Sequence, residues 1–128
     1  MTGKILIADD EPHIRRLIEQ SLDELEDEGV VIESAADGAA ALEIVEREHP
    51  DVVILDVMMP EMSGFEVCER IRQFSGPGAP YVLLLTAKGQ EYDRRRGESA
   101  GADRYMTKPF SPDALLAIVR EALDHRRR

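Results

Sequence analysis

The chain has 128 residues, enough for one domain and one real hydrophobic core, with no room for a second. With 43% hydrophobic and 33% charged residues its composition is that of a folded globular protein, which excludes a disordered chain. Sixteen Lys and Arg against 26 Asp and Glu leave a net charge of −10, a balance that argues against non-specific binding to nucleic acid or an anionic membrane.

The first element is the apolar run Ile5–Ala8, read as a strand; it is too short for a signal-peptide core or a bilayer span. Ile14, Leu17, Ile18, Ser21, Leu22 and Leu25 then follow the i, i+3, i+4, i+7 rule and predict one helix. Val30-Val31-Ile32 reads as a second strand, and Ala41, Leu42 and Val45 as the stripe of a second helix. Val52–Leu55 is continuously apolar, as strands buried on both faces are. Val67, Cys68, Ile71 and Phe74 mark a third helix; Cys68 is the only cysteine, which excludes an internal disulfide. Ser75–Pro80 is a Pro/Gly-rich loop, and Tyr81–Leu85 a fourth strand. Gln90–Ala100 predicts the poorest helix, with Arg94-Arg95-Arg96 in a row, Gly97 inside and little apolar surface. Tyr105-Met106 reads as a fifth strand from its context. Leu115, Ile118, Val119, Ala122 and Leu123 form the last stripe. Residues 124–128 are a basic helix end or tail, where Arg126-Arg127-Arg128 suits the helix dipole. Five strand–helix alternations predict a single α/β domain over 1–128, a doubly wound parallel sheet with helices on both faces. A soluble, cytoplasmic protein is expected.

In open parallel sheets ligands bind at the carboxyl ends of the strands. Asp9-Asp10-Glu11 follows the first strand, Asp56 the third, Thr86-Ala87 the fourth and Thr107-Lys108-Pro109-Phe110 the fifth. Each has a plain structural reading: acids before Pro12 suit a helix start, Asp56 a turn, Thr86 a cap and Lys108 a solvated charge. Their joint placement on one rim points instead to a site. Crowded carboxylates ionise together only with a cation among them. Hard oxygen donors favour Mg²⁺, Mn²⁺ or Ca²⁺, and none of His13, His49 and His125 stands at a strand end. Carboxylates, a divalent cation, a lysine and a hydroxyl together describe phosphoryl transfer.

At this point the chain resembles the receiver domains of two-component response regulators. The matching pieces are ILIADDEP at 5–12, LDVMMPEMSG at 55–64, LLTA at 84–87, GAD at 101–103 and YMTKPF at 105–110. The resemblance runs from Lys4 to about Leu123. It implies a flavodoxin-like fold: a five-stranded parallel sheet of order 2-1-3-4-5 with five helices. It implies that Asp56 is the phosphoacceptor, taking a phosphoryl group from a histidine kinase or a histidine phosphotransfer protein. Asp10, Asp56 and the backbone carbonyl of Met58 are implied ligands of Mg²⁺, for which Mn²⁺ could substitute, and Asp9 would act through a water. Lys108, Thr86 and the backbone N–H of Ala87 would hold the phosphoryl group. Thr86 and Tyr105 would be the switch pair, and the peptide between Lys108 and Pro109 would be cis. Met58 and Lys88 occupy the positions that tune the lifetime of the phosphoryl group. Met58 cannot orient an attacking water, and Lys88 carries only donors, so slow hydrolysis is expected.

The signal would leave through the face of the family's fourth helix, fifth strand and fifth helix, toward a downstream protein. Regulators that dimerise there to bind DNA carry a paired acid at 103–104 and a base near 118; here stand Asp103-Arg104 and Ile118. The expectation is therefore a stand-alone receiver, a monomer or a weak phosphorylation-linked dimer with no direct contact to nucleic acid. Two rival readings fail on residues. A haloacid-dehalogenase-like phosphatase needs a second Asp two positions after its nucleophile, where Met58 stands, so no turnover of small phosphate esters is expected. A flavodoxin needs a phosphate-cradling first loop, which Asp9-Asp10-Glu11 would repel.

Overall fold

The continuous apolar runs form the three inner strands of one parallel sheet. The structure is a computed structural model that describes residues 2–74, 78–87 and 91–126. Its elements run β1 (Lys4–Ala8), α1 (Pro12–Ser21), α2 (Asp23–Asp27), β2 (Val31–Ala35), α3 (Gly38–Glu48), β3 (Val52–Asp56), α4 (Gly64–Phe74), β4 (Tyr81–Ala87), α5 (Glu91–Ala100), β5 (Arg104–Lys108) and α6 (Pro112–Arg126). The sheet order is β2-β1-β3-β4-β5 with every pairing parallel, the order and class expected.

Side chains alternate across the strands and feed two cores. Ile5, Ile7, Val52, Ile54, Leu83 and Leu85 pack with α1, α2 and α6, while Leu6, Ala8, Val53, Leu55, Val82 and Leu84 pack with α3, α4 and α5. Both faces of the inner strands are thus covered, which is why their sequences show no polar alternation. The edge strands differ. β2 and β5 are only partly buried, so Glu33 and Ser34 sit within β2 and Arg104 and Thr107 within β5. Both edge strands run longer than their short apolar signals.

Six helices are present among the described residues rather than five, because the predicted first helix is broken at Leu22. Leu22 leaves helical geometry (φ −108°, ψ 9°), and its N–H reaches back only three residues, to Glu19 at 3.0 Å. The apolar stripe crosses the break undisturbed, since Ile18, Leu22 and Leu25 are all fully buried. Asp23, Glu24 and Glu26 favour the new N-terminus electrostatically. Arg120 of α6 then ties this short helix down by ion pairs to Glu24 and Glu28.

Asp103 and Arg72 fasten the start of β5. The Arg72 guanidinium donates to the carbonyls of Gly101 (2.8 Å) and Pro80 (2.9 Å) and to Asp103 Oδ2 (2.6 Å). The same Asp103 oxygen accepts from the Val82 N–H at 2.8 Å. The GAD triplet is therefore a splice between α5, β5 and β4. Asp103→Ala removes the acceptor for a backbone N–H and for Arg72 together. It should cost about 1–3 kcal/mol, read as a lower urea midpoint at unchanged slope. An unchanged midpoint would show the splice to be dispensable.

Candidate functional site

Register brings four strand ends to one rim. Ala8 pairs with Leu55, so Asp9 and Asp56 follow on adjacent strands. Thr86 lies one residue before the end of β4 beside them, and Lys108 ends β5 opposite Ala87. Lys108 reaches across the end of β4: its Nζ donates to Asp56 Oδ1 at 2.9 Å and to Asp9 Oδ2 at 3.4 Å. The Lys108–Pro109 peptide bond is cis. Asp9 and Thr86 are fully buried and Asp56 is 2% exposed, whereas Asp10 and Glu11 are open to solvent.

The loops around these carboxylates are made by local hydrogen bonds. Asp9 Oδ1 accepts from the Glu11 N–H at 2.9 Å, turning the chain into α1, and Asp56 Oδ1 also accepts from the Met58 N–H at 3.3 Å. Among the described residues no donor reaches Asp56 Oδ2. Gly64 closes the loop after Asp56: its N–H donates to the Val57 carbonyl at 3.0 Å, and a Cβ there would lie 2.4 Å from the Asp56 carbonyl oxygen. Only glycine fits so close an approach.

Four carboxylates converge here. Oxygens of Asp9, Asp10, Glu11 and Asp56 lie within 4.8 Å of one another. Burial raises the pKa of Asp56 above the ordinary carboxylate value; the Lys108 hydrogen bond only partly offsets this, and the charge of Asp9 adds to it. Burial also works against the Lys108 charge, but the hydrogen bond to Asp56 and the two carboxylate charges outweigh it and raise that pKa. The charged form of Lys108 is thus favoured here while that of Asp56 is not. This donor set, all hard oxygen with surplus negative charge, fits Mg²⁺ or Mn²⁺.

The remaining expected residues are distributed as follows. Met58 is 72% exposed at the mouth of the site. Beside it a groove of about 460 Å³ runs past Asp56 and Lys108, walled by Ile14, Leu17, Met58, Pro109 and Phe110. Tyr105 is half-buried on β5, paired in register with Leu84 and lying against Gly97 of α5. Lys88 lies outside the described residues. His13 is exposed 3.4 Å from Glu11, His49 caps α3 with a left-handed backbone, and His125 is exposed. Cys68 is buried against the Ala100 carbonyl, and burial pushes its thiol up to about 11, so it is inert at neutral pH.

Sequence reasoning named Asp9, Asp10, Asp56 and Lys108, and the fold brings them together. It did not single out Gly64, whose requirement comes from a contact ahead of α4. It also missed Arg15, which donates to the Asp9 backbone carbonyl at 2.5 Å and braces the first loop. The spacing from Asp9 to Arg15 shows no motif that could have revealed this bond.

A doubly wound parallel sheet of order 2-1-3-4-5, with an acidic cluster and Lys108 at its carboxyl rim, defines the class of flavodoxin-like α/β domains. Residues 5–120 match the response regulator receiver domain family, and the chain belongs to it. It is 44% identical to the alkaline phosphatase synthesis transcriptional regulatory protein PhoP of Bacillus subtilis, over 96% of this chain and 49% of that protein. It is 46% identical to the probable transcriptional regulator ycf27 of Porphyridium aerugineum, over 94% of this chain and 48% of that protein. The chain therefore spans about half the length of the curated relatives it matches. Among solved structures, chemotaxis protein CheY4 of Vibrio cholerae superposes with a TM-score of 0.83 at 34% identity, covering 95% of this chain and 99% of that one. A CheY-like receiver domain protein of Methanospirillum hungatei gives 0.87 at 29% identity, covering 99% and 98%. The chain is thus a two-component receiver domain, and its relatives are regulators rather than enzymes of small-molecule turnover. No helix among the described residues is long and apolar enough to cross a membrane.

The raised pKa of Asp56 carries a sign for stability. A carboxyl whose folded pKa lies above its unfolded value, once ionised, opposes folding, and the penalty fades as pH falls through the folded value. With divalent cations chelated, Asp56→Asn should therefore melt above wild type at pH 7, and the difference should shrink toward the pH range where carboxyls protonate. A variant that melts below wild type at pH 7 would mean that the bond to Lys108 outweighs the crowding.

Proposed function

We propose that this domain takes a phosphoryl group onto Asp56 from a phosphohistidine of a sensor kinase or phosphotransfer protein in the cytoplasm, and passes the signal on by protein contact. The observation that carries this reading is the state of Asp56: buried at a strand end, held through Oδ1 by Lys108 and Met58, with no donor on Oδ2 among the described residues. Oδ2 is the oxygen left to attack phosphorus. A bond forms from it to the phosphorus, the bond to the donor imidazole nitrogen breaks, and that electron pair returns to the ring. The product is a mixed anhydride on Asp56.

Lys108 exchanges its carboxylate for a phosphoryl oxygen and holds the new charge there. Asp10, Asp56 and the Met58 carbonyl would hold Mg²⁺ directly, Asp9 through a water, and Glu11 adds to the negative field. The cation supplies neutralisation of the phosphoryl charge. Thr86 and the Ala87 N–H, at the end of the strand between Asp56 and Lys108, would donate to a phosphoryl oxygen. The apolar groove along Ile14, Leu17 and Phe110 adjoins the site, so a protein donor presenting its histidine to Asp56 would cover it. Small esters lack that contact, and Met58 offers no acid for a leaving group. We therefore infer that the domain promotes only its own phosphorylation and a slow dephosphorylation.

Thr86 and Tyr105 would convey the change to the face of α5, β5 and α6, the face the family reaches with its fourth and fifth helices. Asp103 is engaged by Arg72 and Val82, and Ile118 offers no charge. This supports a protein contact made by a monomer or a weak dimer over a tightly ion-paired dimer, with no direct contact of this domain to nucleic acid. Transcriptional output belongs to the whole relatives and is not carried over.

Incubation with Mg²⁺ and acetyl phosphate should add one phosphoryl group by intact mass. Asp56→Asn should add none, and a stable adduct on that variant at the wild-type rate would overturn the assignment. A second measurement addresses lifetime. Met58→Asn supplies a group that can orient water behind the phosphorus, so the phosphorylated mass should decay about tenfold faster after donor removal. Unchanged decay would show that Met58 does not set the lifetime.

A further inference from the structure

Among the described residues, helix α5 has a strong anchor outside the sheet, and it lies on α4. Arg96 forks Glu69 through both terminal nitrogens, Nη2 to Oε1 at 2.7 Å and Nη1 to Oε2 at 3.1 Å. Its guanidinium also lies 5.3 Å over the ring of Phe65. Phe65 and Glu69 are four residues apart, so one face of α4 offers ring and carboxylate to the same cation. Arg96 and Glu69 are about a third exposed, and the planar fork holds one geometry where a lysine would not.

Both ends of this contact lead to parts that the switch must move. Phe65 directly follows Gly64, which packs against the Asp56 carbonyl, so the first turn of α4 is in contact with the phosphoacceptor itself. Gly97 directly follows Arg96, and a Cβ there would lie 3.0 Å from Leu84, 3.4 Å from Tyr105 and 3.8 Å from Phe65. Phe65 is buried in the same core as Leu84, and Tyr105 packs against that core. A path of touching groups therefore runs from Asp56 through Gly64 and Phe65 to Arg96, without passing through Thr86.

We propose that the Phe65–Glu69–Arg96 contact is a latch that holds α5 in its unphosphorylated position, a second coupling route beside Thr86 and Tyr105. This rests on the reading of Asp56 as phosphoacceptor and of α5 as part of the moving face. A shift of the loop after Asp56 carries the first turn of α4 with it, misaligns the fork and frees α5. Because coupling is reciprocal, loosening the latch must favour the phosphorylated arrangement and so tighten binding at Asp56.

The test uses beryllofluoride, a phosphoryl mimic, on wild type and on Glu69→Gln, which keeps the side-chain shape and removes the charge. Glu69→Gln should bind beryllofluoride about three to ten times more tightly than wild type. Without the mimic it should exchange amide hydrogens faster over residues 95–104, while α1 and α3 exchange as in wild type. The exchanged pair, Glu69→Arg with Arg96→Glu, restores opposite charges and should move affinity back toward wild type. Unchanged or weaker beryllofluoride affinity in Glu69→Gln would overturn the latch. Failure of wild type itself to bind the mimic would instead overturn the reading of Asp56, so the two failures are distinct.

Discussion

Among the described residues, Lys108 is the one ammonium group set among four carboxylates at the end of the sheet. It bonds Asp56 and Asp9 at 2.9 and 3.4 Å, and neither carboxylate is open to bulk water. The buried charge is only partly compensated, because the Lys108 ammonium alone cannot neutralise Asp9, Asp10, Glu11 and Asp56 together. Most proteins avoid this arrangement, since an under-paired buried carboxylate costs folding free energy. Retaining it makes sense where the missing charge arrives with a ligand. The rest of the molecule serves to keep these groups together despite their repulsion.

The sheet does this through order and register. Placing β1 beside β3 makes Asp9 and Asp56 neighbours, and placing β5 one strand away gives a lysine side chain the span it needs to cross β4. The two apolar layers on either face hold the strands rigid, so the crowding cannot be relieved by splaying them apart. Gly64 adds a further restraint, since it lets α4 begin in contact with the Asp56 carbonyl. A change at Asp56 therefore meets a stiff sheet on one side and a helix start on the other.

What could be read from the sequence follows the same physics. Strands buried on both faces must be apolar throughout, and β1, β3 and β4 announce themselves as such. The edge strands β2 and β5 meet water along one side, so Glu33, Ser34, Arg104 and Thr107 hide their extent. The strand-end acids and Lys108 were legible because polar residues directly after apolar runs are conspicuous. The break between α1 and α2 was not, since Leu22 keeps its place in the apolar stripe while leaving helical geometry. Arg15, Gly64, Asp103 and the Glu69–Arg96 pair act through contacts between elements. No local pattern encodes those contacts, and the order 2-1-3-4-5 itself came from resemblance rather than from spacing.

We propose that the acidic rim is completed by a divalent cation held chiefly through Asp10 and Asp56. The direct measurement is thermal unfolding against Mg²⁺ concentration at constant ionic strength, in wild type and Asp10→Ala. A ligand that binds only the folded state stabilises it by about 2.7 kcal/mol at one hundred times its dissociation constant. The wild-type Tm should climb with Mg²⁺ and not with added Na⁺, and Asp10→Ala should need far more Mg²⁺ for the same rise. Identical Mg²⁺ dependence in the two proteins, or none in wild type, would contradict it.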